Sequence, residues 1–263
     1  MRKINIFLGI IGLLFLNSCQ KPESRCILVL FDVSDSTMQR RNSYLETFKK
    51  KILPALKGGD RIVADIISDN PLEQSSYPIN IELTPYKLQN KILYKREIGN
   101  LKVNISTTVE NMLQVDRRVK KTKILEAMEL AIRVFATYKN YDKKILVLFS
   151  DMIEDSDIYN FERINWQKNN LDNLIQRIQN KIQDFSGVKI YIITGTTFTS
   201  SNANYNYIRR FWTTYFKKSG AIFDENTWYG STLIAFEYEN EKDKEYTPSN
   251  IFKQIKAIFK GDK

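Results

Sequence analysis

Unbroken apolar runs alternate along this chain with stretches whose apolar residues recur every three or four positions. Residues 26–31 are apolar without interruption, the pattern of a strand covered on both faces of a parallel sheet. Tyr44, Leu45, Phe48, Ile52, Leu53 and Leu56 follow at helical spacing, and Gly58 and Gly59 end that element. Residues 61–68 predict a second buried strand. Residues 77–84 alternate, with Ile79, Ile81 and Leu83 on one face, and predict an edge strand, the turn signals Asn70-Pro71 and Tyr77-Pro78 marking its approach and start.

Residues 86–120 lean helical through Leu88, Ile92, Leu93, Val109, Met112 and Leu113, with an interruption near Gly99, and read as a helical insertion. Thr122 then precedes an amphipathic helix striped by Ile124, Leu125, Met128, Ile132 and Phe135. Residues 143–149 form another apolar strand ending at Ser150 and Asp151. A helix with Leu171, Leu174, Ile175, Ile178 and Ile182 leads to a strand at 188–194, then to an aromatic helix with Ile208, Phe211, Trp212, Tyr215 and Phe216. Residues 221–223 and 232–238 read as further strands. Thr247 and Pro248 cap and open a last helix, striped by Ile251, Phe252, Ile255, Ile258 and Phe259. This alternation predicts an α/β fold: a doubly wound, mostly parallel sheet with helices on both faces, spanning 26–260 as one domain. Ligands of such sheets bind beyond the carboxyl ends of the strands.

The first eighteen residues break the pattern. Arg2 and Lys3 precede an apolar run that ends at Leu16, too short for a convincing membrane span, and Leu16-Asn-Ser-Cys19 resembles a bacterial lipobox. The expectation is a signal peptide over 1–18, lipid attachment at Cys19, a tether over 19–25, and an exported protein held on an envelope membrane, facing either the periplasm or the exterior. A plain secretory signal with an incidental cysteine is the other reading. With Cys19 acylated, Cys26 is alone of the two cysteines, so no internal disulfide framework is available. The leader removes two positive charges from a formal net charge of +10, and the remaining excess favours acidic partners or anionic surfaces. Nucleic acid is not expected of an exported chain. The sequence has no histidine, which excludes histidine acid/base chemistry, the usual serine and cysteine triads, and imidazole-held zinc.

Candidate chemistry lies at three strand or helix ends. Asp32, Ser34 and Ser36 place oxygen ligands at alternating positions directly after the first strand, Thr122 opens a helix, and Asp151 ends a central strand. Each has a plainer reading: a turn or cap for the first three, a helix cap for Thr122. Taken together, two carboxylates and three hydroxyls form an oxygen-only set suited to Mg²⁺, or to Mn²⁺ or Ca²⁺, with enough charge left on the ion to accept an anionic ligand. Arg40, Arg41, Lys120, Lys121 and Lys123 fall beside these loops, as a basic rim for an anionic partner or as solvated surface. Glu154, Asp155 and Asp157 read as an acidic loop or an auxiliary cation site.

In order and context, Asp32-x-Ser34-x-Ser36, Thr122 and Asp151 resemble the metal-ion-dependent adhesion site of von Willebrand factor type A domains, over nearly all of residues 26–260. The resemblance implies that these five residues are the metal ligands. Lys121 and Met152 depart from it, standing where that family commonly has glycine, and both could crowd the ion.

The leading expectation is a membrane-anchored, divalent-metal-dependent protein-binding module for adhesion or envelope assembly, not an enzyme, whose protein partner offers a carboxylate or other anion. A metal-dependent phosphoryl hydrolase is one alternative. It is weakened by Ser34, which occupies the place where such enzymes need a second Asp as proton donor. A metal-free structural scaffold is the other.

Overall fold

Every residue of strand β1 (Arg25–Asp32) is buried, because parallel partners flank it on both edges and helices cover both faces. In this computed structural model, residues 23–87, 90–114, 119, 121–195, 203–230 and 236 are described. Strands β2 (Arg61–Ile67), β3 (Ile79–Glu82), β4 (Lys143–Phe149), β5 (Val188–Ile193) and β6 (Trp228–Tyr229) complete a six-stranded sheet in the order β3-β2-β1-β4-β5-β6. All neighbours are parallel except β3, which lies at one edge, as its alternating sequence predicted, and runs antiparallel to β2.

Six α-helices are named here: α1 (Arg41–Thr47), α2 (Pro71–Gln74), α3 (Lys91–Gln114), α4 (Ile124–Thr137), α5 (Leu171–Arg177) and α6 (Ala203–Lys218). Successive residues of β1 face opposite sides of the sheet. Cys26, Leu28 and Leu30 join a core with Met128 of α4, Leu174 of α5 and Trp212 of α6. Ile27, Val29 and Phe31 join a second core with Tyr44 of α1, Phe48, and Ile105 and Val109 of α3. Full burial of each such aliphatic side chain is worth about 1.5–3 kcal/mol. Cys26 is unpaired, and burial pushes its thiol up to about 12, which leaves it inert at neutral pH.

Helix α1 runs on through a π-helical turn at Phe48–Ile52 into Leu53–Ala55. Pro54 has no N–H to continue the α pattern, so the wide turn falls directly before it. At the amino-terminal end of the sheet, buried Arg25 grips Asp60 through Nε (2.9 Å) and Nη2 (2.5 Å) and also donates to the Ala55 carbonyl at 2.7 Å.

Several elements differ from the pattern-based reading. Helix α3 runs through Gly99 without a break. The Asn90 side chain accepts from the amides of Ile92 and Leu93 at its start, and Ile105, Val109, Met112 and Leu113 bury its far half, which together outweigh the cost of one glycine. Residues 221–223 form only a bridge, Lys189 to Ile222, and the sheet continues instead at β6. The helix expected to reach Ile182 ends at Arg177 and tightens into a 3₁₀ turn at Gln179–Lys181. The leader, Cys19, most of the strand expected at 232–238 and the helix expected from Thr247 lie outside the described residues. Among the described residues no helix is long and apolar enough to cross a membrane.

Candidate functional site

The strand order reverses between β1 and β4. From β1 the chain moves outward through β2 to β3, then returns to β4 and moves the other way to β6. The connection after β1 leads to α1 on one face, and that after β4 leads to α5 on the other, so the two loops diverge and open a crevice between the strand ends. Asp32 is the last residue of β1, and Ser150 and Asp151 directly follow β4.

Asp32 is fully buried. Its Oδ1 accepts the Ser34 amide at 2.9 Å and its Oδ2 accepts the Ser150 hydroxyl at 2.7 Å, a bond that ties the ends of β1 and β4 together. The loop after Asp32 is pinned by Thr37, whose hydroxyl donates to the carbonyls of Asp32 (2.8 Å) and Ser34 (2.9 Å). The Ser34 and Ser36 hydroxyls lie 3.1 Å apart, and Ser36 is among the groups that pull the Asp151 carboxyl down against its burial. Asp151 is 1% exposed. Its Oδ1 accepts the Ile153 amide at 3.1 Å, while its buried Oδ2 has no hydrogen-bond partner among the described residues and meets the Arg40 guanidinium, 3.1 Å away in ionic contact.

Two carboxylates sealed from water at neighbouring strand ends resist ionisation. Burial, and then the charge of Asp151, push the Asp32 carboxyl up to about 7, against the opposing bonds from Ser34 and Ser150. Burial also raises Asp151 even though Arg40 pulls it down. Tyr44 feels the same pair: burial first, and then the charges of Asp32 and Asp151, hold its phenol well above the usual range. Its hydroxyl donates to the Thr194 carbonyl at 3.3 Å. The structure therefore brings together Asp32, Ser34, Ser36 and Asp151, and adds Ser150, Arg40 and Tyr44 to them.

Thr122 stands two residues before the start of α4, 6% exposed. The cap position belongs to Lys123, and the Thr122 hydroxyl makes no hydrogen bond among the described residues, so it is not the helix cap. Its carbonyl accepts the amides of Ile124 (3.1 Å) and Asp155 (3.0 Å), and Val119 bridges to Ser34. The segment thus borders both the Ser34 loop and the loop after Asp151.

The cations foreseen as a rim are engaged within the chain. Arg40 meets Asp151, and Arg41 is buried, donating to the Val33 carbonyl and, at 3.5 Å, to that of Ser34. Lys121 pairs with Asp157 at 2.5 Å and Lys123 with Glu126 at 3.0 Å, and Lys120 is outside the described residues. The three acids after Asp151 diverge. Asp157 pairs with Lys121, and Asp155 accepts the Asn160 amide at 2.9 Å. Glu154 is fully buried, its Oε2 accepting the Leu125 amide at 3.0 Å so that it caps α4, while Oε1 has no hydrogen-bond partner. Burial pushes this carboxyl up to about 7. Among the described residues no three of His, Cys, Asp and Glu converge.

The oxygen set nevertheless fits a hard cation. Asp32 and Asp151 repel one another at low dielectric, the hydroxyls of Ser34, Ser36 and Ser150 are at hand, and one carboxylate oxygen accepts no hydrogen bond among the described residues. Neither departure crowds this space. Met152 adopts a left-handed backbone (φ 63°), held by the Ser150 hydroxyl on its amide and by Trp212 Nε1 on its carbonyl, and its side chain lies in the core with α4 and α6. Lys121 is turned to Asp157.

The comparisons with known proteins correct the family resemblance. The family model that matches describes the "Glycosyltransferase GT-D fold", over residues 149–263, and no von Willebrand factor type A model matches. That match covers less than half of the chain and leaves out Asp32, Ser34, Ser36 and Thr122. The resemblance rested on five positions in three separated segments at a switch point, where sheets of this layout in general gather polar loops, so it did not discriminate between families. No curated protein matches the chain. Among solved structures, it is similar to three N-terminal domains of the type V pili tip protein Mfa5 from Porphyromonas gingivalis, at 13% identity and a TM-score of 0.43, covering 80% of this chain and 47% of that one. It is also similar to the pilus adhesin SpaC from Lactobacillus rhamnosus GG in its open conformation, at 10% identity and a TM-score of 0.43, covering 80% and 28%. The chain spans about half or less of either structure, and the likeness is one of general strand-and-helix layout alone.

Proposed function

We propose that Asp32, Ser34, Ser36, Thr122 and Asp151 hold a divalent cation, Mg²⁺ or else Mn²⁺ or Ca²⁺, at the switch point of a doubly wound, Rossmann-like sheet, and that the chain is a protein-binding module rather than an enzyme. The observation that carries this is the pair of buried carboxylates across the ends of β1 and β4, with an Asp151 oxygen that is in ionic contact with Arg40 but accepts no hydrogen bond among the described residues. When bound, the cation supplies an electrophilic position that accepts a carboxylate or similar anion from a protein partner. The chain's own residues prepare the place: Ser150 fixes the Asp32 carboxylate, Thr37 pins the loop carrying Ser34 and Ser36, and Arg40 balances Asp151. In this reading Cys19 carries the lipid that holds the module on an envelope membrane.

Capture of partners from solubilised membranes, with Mg²⁺ and with chelator, tests the reading. A protein retained only with Mg²⁺, and not by Asp32→Asn, is the expected result; retention unchanged by chelator points to a metal-free scaffold instead.

Glycosyl transfer is the second reading, favoured by the family match over residues 149–263. Turnover of nucleotide-sugar donors, lost in Asp151→Asn, would replace the binding reading with it. A phosphoryl hydrolase has less support, since the Ser34 hydroxyl shares its hydrogen bond with Ser36 and brings no acid.

A further inference from the structure

One face of α6 forms the wall of a second, unrelated groove. Asn206, Arg210, Thr213, Thr214 and Lys217 recur every three or four residues and so share a side of the helix. With Arg209, and with Leu171 of α5 opposite, they line a cavity of about 450 Å³. Among the described residues seven line it, three of them cationic and none acidic. Arg209 stands with its guanidinium 5.8 Å from the centre of the Trp228 ring. Arg210 and Lys217 have no ion-pair partner among the described residues.

The two threonines behave differently. Thr214 turns its hydroxyl back to the Arg210 carbonyl at 2.8 Å, the ordinary way for a helical threonine to satisfy itself. Thr213 is 7% exposed, and its buried hydroxyl has no hydrogen-bond partner among the described residues. Leaving such a group unsatisfied costs about 1–3 kcal/mol, a cost that a ligand's acceptor would offset.

We propose that this groove between α5 and α6 binds a phosphate-type oxyanion. Arg210 and Lys217 supply charge, the Thr213 hydroxyl and the Asn206 amide supply neutral donors, and a lining without carboxylates among the described residues favours a ligand with two negative charges, such as a phosphomonoester or diphosphate. The volume exceeds that of a bare phosphate and leaves room for the group that carries it. A soluble phosphoester and the headgroup of an anionic phospholipid share this chemistry.

Calorimetric titration of the full chain with pyrophosphate, alongside sedimentation with phosphatidylglycerol/phosphatidylcholine vesicles and with phosphatidylcholine vesicles alone, tests the site. The expected result is saturable binding in at least one of the two phosphate arms. It should weaken at least ~10-fold in Arg210→Ala/Lys217→Ala and several-fold in Thr213→Val, a near-isosteric change that removes only the hydroxyl. Pyrophosphate binding assigns the soluble source, and response to phosphatidylglycerol alone assigns the lipid. The proposal is overturned if neither arm binds, if chloride at equal ionic strength competes as well as phosphate does, or if Thr213→Val binds like the parent while unfolding at an unchanged temperature.

Discussion

Arg40 shows how far a residue's role depends on where the fold turns its side chain. In the sequence it is one of several cations near a loop, and a place on the rim follows naturally; in the fold it meets buried Asp151 and is itself largely covered. Asp32 and Asp151 were legible because each follows a buried strand. Ser150 was not, since its neighbour across the sheet is set only by the pairing of β1 with β4. If a divalent ion shares Asp151 with Arg40, the two cations compete. Arg40→Ala should then tighten Mg²⁺ binding roughly tenfold by calorimetry, the scale of a partly exposed ion pair; unchanged binding would show that the two do not compete, and weaker binding that Arg40 assists instead. Glu154 was read as part of an acidic loop and proves to be a buried cap. Its carboxyl lies at about 7 in the fold against 4.5 free, so between those values the folded chain holds a proton that the unfolded chain releases. Stability therefore falls as pH rises from about 4.5 to about 7 and levels above that. Asp32 adds to the slope with the same sign. Urea midpoints across that range should decline less steeply in Glu154→Gln than in the parent.

At the scale of elements, the apolar runs of β1, β2, β4 and β5 could be read directly, because a strand buried on both faces is apolar nearly throughout, with Asp65 of β2 and Lys189 of β5 the interior exceptions. The edges were harder. Residues 221–223 and β6 are both short, and which of them joins the sheet is decided by what β5 offers, not by their own composition. Gly99 gave a false stop, because a glycine weakens a helix without ending it when caps and packing hold both sides. It is exposed, and a Cβ added there meets nothing within 4 Å. Gly99→Ala should therefore raise stability by about 0.5–1 kcal/mol, seen as a higher urea midpoint at unchanged slope. The Arg25–Asp60 clamp predicts the opposite sign. Asp60→Ala leaves a buried guanidinium without its carboxylate and should cost about 3–5 kcal/mol in the same assay.

The whole molecule explains why the site lies where it does. A mostly parallel sheet whose order reverses between β1 and β4 must part its loops there, and the residues that first suggested chemistry, Asp32 and Asp151, stand on the two sides of that parting. Strand and helix alternation conveyed that much. The family did not follow, since the same layout serves many lineages, and the matching model begins only at residue 149. The central claim is that the two buried carboxylates and their hydroxyls are a cation site. Calorimetric titration of the full chain with Mg²⁺, beside folded Asp32→Asn and Asp151→Asn, tests it most directly. Saturable binding by the parent, abolished in both variants, is the predicted result; no binding by the parent, or equal binding by all three, would contradict it.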